Sequence, residues 1–481
     1  MTDIPSSPGR DEATRTLEPD RPGTSAASAA RLSLKLTFGA VVIVAAGLVG
    51  IGIIFKPQTA SAIPSFAMQT GQPCATCHTA FPELTPYGRE FKLSGYTAGG
   101  GLTITQAPPI AAMVVPTFTH TDRNQDSPPA YNTYSNNNTV LQQASLFYGG
   151  TIFGNLGAFI QGTYDRASGH YMLDNTDFRY ADRAQFLGVD FLWGITVNNN
   201  PTVQDVWNTT PAWGFPYIAA TLAPQFSPPS TMIEGSFAGQ VAGAGVYTWW
   251  KDMLYVELSA YRSLSVSTLQ SLGIPDAIGS TSISGNAPYW RVAFAPTIGN
   301  HSFMVGTFGM LANEVPGRVP GFGTDRILDI GIDAQYQFIS GPHAFEAKLS
   351  HISEFAQFNA SFAQGLTANP TGHLNTFHAT LDYVYDNTYS FTTSYFDVSG
   401  TNDSVLYSTS ITGSPNSKGF IFDLAYLPFS HGSPYFPWFN ARIGVSYTKY
   451  LTLFGGTANF DGAGHNASDN NTFLAYTWLA F

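Results

Sequence analysis

The sequence predicts an all-β membrane protein, an antiparallel barrel of about 16 strands. Three observations predict it: 11% of the residues are charged while 14% are aromatic, apolar and polar residues alternate with a period of two over most of the chain, and turn residues recur between the alternating runs. A soluble domain carries about 25% charged residues. A polytopic helical protein needs several runs of about 20 apolar residues, a pattern this sequence does not have. A barrel hides its apolar face in the average, because lipid-facing and lumen-facing positions alternate. The net charge of −11 excludes nucleic acid as a partner, since phosphates demand a basic surface.

At the N-terminus, residues 1–62 read as a leader and signal peptide. Phe38 to Phe55 is apolar without interruption, with Arg31 and Lys35 before it and Ala60-Ser61-Ala62 after it. A basic start, an apolar centre and a small-x-small site describe a secretory signal cleaved before Ile63. The apolar run is also long enough to serve as an uncleaved anchor.

Residues 63–108 carry the chemistry. Cys74-Ala75-Thr76-Cys77-His78 is a C-x-x-C-H run, the attachment sequence of c-type haem, and Cys74 and Cys77 are the chain's two cysteines. The spacing lets two thiols alkylate the two vinyl groups and sets the adjacent imidazole beneath the iron. A zinc site would need a second ligand pair of matching spacing, and a redox dithiol would need a βαβ surround. Downstream, Thr85 as N-cap, Pro86 at the first helical position and Gly95 past the end predict a short helix. On that helix Tyr87 and Phe91 share a face and are expected to cover the porphyrin, and Arg89 and Lys92 are candidates for its propionates. About 40 residues seldom make a sufficient core, so this α-helical monohaem cytochrome segment must borrow a wall by plugging the barrel lumen.

Residues 109–481 form the barrel. Leu328, Ile330, Ile332, Ala334, Tyr336 and Phe338 share one face, with Asp329, Asp333, Gln335 and Gln337 on the other. Leu254 to Ala260, Phe377 to Tyr385 and Ile443 to Tyr447 alternate in the same way. Turns are expected at Gly154-Asn155, Asn198-Asn199-Asn200-Pro201, Lys251-Asp252, Gly299-Asn300, Gly341-Pro342, Asp386-Asn387 and, more broadly, Ser430 to Pro437. These make seven hairpins, and an opening strand at Ile110 to Thr121 with a closing one at Thr472 to Phe481 brings the total to about 16. Both chain ends then lie on the short-turn side, which in outer-membrane barrels is periplasmic. The aromatic terminal strand resembles the signal read by barrel-assembly machinery. A soluble β-sandwich or propeller accounts poorly for so many long hairpins with one apolar face.

The run Pro64 to Gly71, the C-A-T-C-H motif, Phe81 to Arg89 and Phe91 to Tyr96 together resemble the outer-membrane iron-oxidising cytochromes, in which a monohaem cytochrome c segment is fused to a porin-like β-barrel. The resemblance covers about a tenth of the chain. It implies an Fe(II) oxidase of the iron:cytochrome c reductase type in the bacterial outer membrane, with one covalent haem c entering from the periplasmic side. Extracellular Fe(II) would be the donor, and a periplasmic cytochrome or copper protein the acceptor. A haem-plugged or redox-gated porin for solutes, and an electron outlet to external acceptors, are the competing functions.

For the iron, His78 is the expected proximal ligand and Met113 the sixth, since Ala111, Met113, Val115, Thr117 and Thr119 share the lumen parity. Met68 is an alternative, while His120 has the lipid-side parity. For approaching Fe(II), oxygen ligands on outer loops are expected: Asp122 and Asp126, Asp174 and Asp177, and Asp461 and Asp469.

Overall fold

The computed structural model describes residues 65–97, 109–235, 237–274, 277–431 and 439–481. The leader and signal expectation for residues 1–62 lies outside the described residues. The strands are β1 (Ile110–Thr121), β2 (Asn138–Phe153), β3 (Leu156–Asp165), β4 (His170–Phe186), β5 (Val189–Asn198), β6 (Val241–Trp250), β7 (Leu254–Ser263), β8 (Ser282–Ile283), β9 (Ala287–Phe294) and β10 (Thr297–Ile298). They continue with β11 (His301–Val315), β12 (Asp325–Ser340), β13 (His343–Gln357), β14 (Thr371–Tyr385), β15 (Tyr389–Gly400), β16 (Ser417–Tyr426), β17 (Asn440–Thr452) and β18 (Thr472–Ala480). β8 and β10 are two-residue additions. The other 16 strands pair antiparallel with their neighbours, β7 passing directly to β9 and β9 to β11. The sheet closes where Met113 of β1 meets Ala480 of β18. Closure leaves no edge strand, as a bilayer requires of a sheet.

Alternation decides which face each side chain takes. Along β12 the odd-numbered residues from Asp325 to Gln337 are buried, while Leu328, Ile330, Ile332, Ala334, Tyr336 and Phe338 face out. The outward residues form an apolar band that includes Leu146, Val246, Leu258, Val305, Leu349, Leu381 and Leu424. At its short-turn margin sit Tyr383, Tyr385, Tyr389 and Tyr426, with the rings of Tyr389 and Tyr426 stacked at 5.3 Å. An apolar band edged by aromatics is the exterior of an outer-membrane barrel.

Five of the expected turns join adjacent strands as foreseen, and most of the broader Ser430 to Pro437 turn lies outside the described residues. The seventh short turn is not at Asn198 to Pro201. It lies at Leu187 and Gly188, between the paired Phe186 and Val189, and both residues take positive φ (53° and 74°). Two such residues make a hairpin turn whose twist matches the strands, a role usually given to Asn-Gly or Asp-Gly. Leu at that place gives no sequence signal. After Asn198 the chain instead turns inward, and residues 199–240 cross the lumen before β6. Thr202, Val203, Gln204, Asp205, Val206 and Trp207 are all buried there.

Both ends of the barrel chain, Ile110 and Ala480, lie on the short-turn side. Residues 65–97 lie against the inner wall near that end as helices α1 (Ser65–Thr70), α2 (Cys74–Cys77) and α3 (Pro86–Leu93). Thr85 caps α3 by accepting from the Gly88 N–H. Gly88 packs on the Cys77 carbonyl so closely that a Cβ would come within 2.3 Å of it. The barrel holds this segment through polar contacts: Asn387 Nδ2 donates to the carbonyls of His78 and Thr79, Arg442 Nη1 to that of Phe81, and the Tyr247 hydroxyl to that of Leu93.

Candidate functional site

Cys74 and Cys77 sit on one short helix because an i, i+3 spacing brings both side chains to the same face. The Ala75 N–H donates to the Ser430 carbonyl, and His78 N–H closes the turn onto Cys74. The two cysteines are not joined in a disulfide. Burial, with the neighbouring Cys74 adding to it, pushes the Cys77 thiol up to about 11, so it stays protonated at neutral pH. His78 Nδ1 lies 3.2 Å from the Glu83 carbonyl. Burial lowers the imidazole, and the Glu83 and Pro82 carbonyls offset part of that shift. The Glu83 contact fixes the ring and leaves Nε2 as the nitrogen for a metal.

Glu83 is itself held by the barrel. Its carboxylate accepts from Lys348 Nζ of β13 at 2.8 Å and from the Tyr217 hydroxyl of the lumen loop at 2.7 Å.

Cys74, Cys77 and His78 open onto a cavity of about 450 Å³ that Met113 of β1 also lines. Its walls are mostly apolar and include the rings of Phe66, Phe81, Phe147, Phe159, Trp213 and Trp478. The volume lies within the usual range for ligand sites, about 300–1,000 Å³. Two thiols, an imidazole with one nitrogen free, a thioether and aromatic walls are a donor set that fits a covalently attached haem.

The other expected residues fall elsewhere. Tyr87 is 43% exposed, so it does not share a buried face with Phe91. Phe91 packs against Phe66 and Tyr96, and Arg89 donates to the Leu84 carbonyl and to Gln335. None of Tyr87, Arg89 and Phe91 lines the cavity. Helical spacing identified their faces, but the barrel wall, absent from a local reading, decided which of them meets what. Lys92 is buried, giving its protons to the carbonyls of Val203 and Asp205.

Asp122 and Asp126 follow β1 as expected, with Asp122 accepting from Asn471 and Asp126 from Gln225. Asp461 and Asp126 flank His465 on adjoining loops. Asp174 and Asp177, by contrast, are not on an outer loop: both lie within β4. Asp177 is fully buried, bonded to Arg179, Tyr96 and Thr196. Asp174 lines the cavity. Among the described residues no cluster of three or more His, Cys, Asp or Glu side chains is arranged to hold a metal ion.

No protein-family model matches the chain, and no curated protein matches it. Solved structures similar to it include the outer-membrane OmpT of Vibrio cholerae, at 8% identity and a TM-score of 0.40, covering 77% of this chain and 96% of that one. They also include the outer-membrane channel DcaP of Acinetobacter baumannii, at 11% identity and a TM-score of 0.42, covering 79% and 99%. Salmonella typhi OmpF is similar at 11% identity and a TM-score of 0.41, covering 77% and 97%. At such scores the likeness carries no argument, and the class of the protein, a 16-stranded porin-like outer-membrane barrel, is read from its own strand pairing and outward apolar band.

Proposed function

We propose that the chain is an outer-membrane electron conduit, in which a single c-type haem held by Cys74 and Cys77, with His78 and Met113 at its iron, links extracellular Fe(II) to a periplasmic carrier. The observation that carries this reading is that all four residues, 35 or more positions apart between motif and strand, line one cavity with aromatic walls. When bound, the haem supplies one-electron chemistry. The chain's own residues supply the rest. The cysteines tether, Glu83 orients His78 through its carbonyl, and Lys348 and Tyr217 anchor Glu83 to the barrel. Fe(II) as donor rests on the family resemblance of the motif segment.

A second reading is a solute channel, favoured by the barrel size itself, since porins of 16 strands leave an aqueous lumen. Against an open pore stand side chains on the inner wall and lumen loop that are almost wholly shielded from water: Arg179, Arg291, Trp207, Tyr255 and Tyr261.

One experiment separates the two. Purified oxidised protein mixed rapidly with Fe(II) should show a c-type haem turning ferrous, and liposomes containing it should not swell in small sugars. Absence of covalent haem, or a haem that Fe(II) leaves ferric, overturns the conduit, and swelling supports the channel.

A further inference from the structure

The cavity has a polar end that the haem motif does not account for. Between the paired Ile160–Thr176 and Gly162–Leu173 the ladder slips, so that Gln161 of β3 stands opposite two residues of β4, Asp174 and Asn175. Such a bulge re-aims side chains that a regular strand would send to alternate faces. Here Gln161, Asp174 and Asn175 all line the cavity, together with Gln143 of β2. Among the described residues Asp174 is its one carboxylate and no lysine or arginine lines it.

Both carboxylate oxygens of Asp174 accept a hydrogen bond from a neighbour on β3 or β4. Its Oδ2 accepts from the Thr163 hydroxyl at 2.9 Å and its Oδ1 from the Asn175 N–H at 2.8 Å. The amide nitrogens of Gln143 and Gln161 donate to Ser145 and Thr163, so the side-chain oxygens are the atoms with which these two cavity-lining residues can serve a cation. A carboxylate and amide carbonyls are hard ligands suited to a first-row divalent cation. A cleft walled by apolar groups and carrying one sign of charge concentrates ions of the other sign.

Position fits as well. Asp174 lies four residues along β4 from His170, at the end opposite the short turns, whereas Cys74 shares the cavity wall with Asn440, where β17 begins at the short-turn end. From Asp174 to Tyr180, which pairs with Leu156 beside the first short turn, is about 20 Å of strand.

We propose that Asp174, with the carbonyl oxygens of Gln143 and Gln161, receives the hydrated divalent cation that serves as electron donor. The proposal rests on the conduit reading and adds where its substrate is held.

Mn(II), which is not a reductant here, is the probe. Its binding to the full-length protein in detergent, read from the resonance of free Mn(II), should weaken about 10-fold or more in Asp174→Asn and stay at the parent value in Asp126→Asn. Mn(II) should also slow haem reduction by Fe(II) in the parent. Parent-like binding by Asp174→Asn, or a loss in Asp126→Asn instead, overturns the proposal. If Asp174→Asn does not assemble, Asp174→Glu must still bind Mn(II), and its failure to do so overturns the proposal too. Mn(II) lost in Asp174→Asn from a protein that Fe(II) never reduces keeps the cation site and removes the conduit. Reduction by Fe(II) that neither Asp174→Asn nor Mn(II) alters keeps the conduit and removes the site.

Discussion

The lumen is divided between two regions built on opposite principles. Under the inward loop the space is filled with charge. Arg179 pairs with Asp177 at 2.6 Å, and Arg291 lies 2.7 Å from Asp333 and 3.3 Å from Asp205, all shielded from water. Trp207 packs over Arg291, its ring centre 5.0 Å from the guanidinium carbon. Among the described residues that line the cavity there is one carboxylate, set among aromatic rings and other apolar groups. Charges taken out of water must be paired and hydrogen-bonded, which locks their neighbours in place. A wall with a single carboxylate makes little such demand and can be shaped to a ligand. The same barrel therefore closes one part of its interior by pairing charges and shapes another part to receive a ligand by nearly omitting them.

The largest expected effect comes from breaking the charged region. Arg291→Met leaves Asp205 and Asp333 buried without their cation and should cost about 3–5 kcal/mol, read from urea unfolding in lipid vesicles. A loss below about 1 kcal/mol would mean that this region is not held by its ion pairs. In the cavity the ranking should invert between stability and spectrum. Met113→Ala should cost about 2 kcal/mol, the low end for such truncations, because the side chain already borders open space. It should nonetheless change the haem absorption bands and lower the potential. An unchanged low-spin spectrum would remove Met113 as a ligand. The smallest effect belongs outside both regions. Arg183 pairs with Glu90 at 2.6 Å on the exposed rim, and Arg183→Met should alter stability by about 0–1 kcal/mol, less at high salt.

Much of this architecture was legible residue by residue. Ile110–Thr121 and the closing strand from Thr472 stand out because lipid outside and polar lumen inside enforce a strict alternation. Thr85, Pro86 and Gly95 mark the ends of α3 because capping is a local hydrogen-bonding matter. The shared lumen parity of Met113 followed from the same period of two. The errors occurred where long-range contacts outweighed local ones. Asn198 to Pro201 has the composition of a turn, yet it begins a loop whose partners lie across the lumen, such as Asp333 bonded to Thr209. Asp174 and Asp177 looked like loop acids because a bulge interrupts the alternation that would have marked them as strand.

Spacing along the chain is enough for the C-x-x-C-H run, the class of barrel, the strand count and the wall parity wherever a strand runs without a bulge. Closure of the barrel is what brings Cys74, Cys77, His78, Met113 and Asp174 to one cavity and leaves Tyr87, Arg89 and Phe91 outside it. Which side chains meet across a lumen depends on barrel closure and on the path of one long loop, and neither is written in any local pattern.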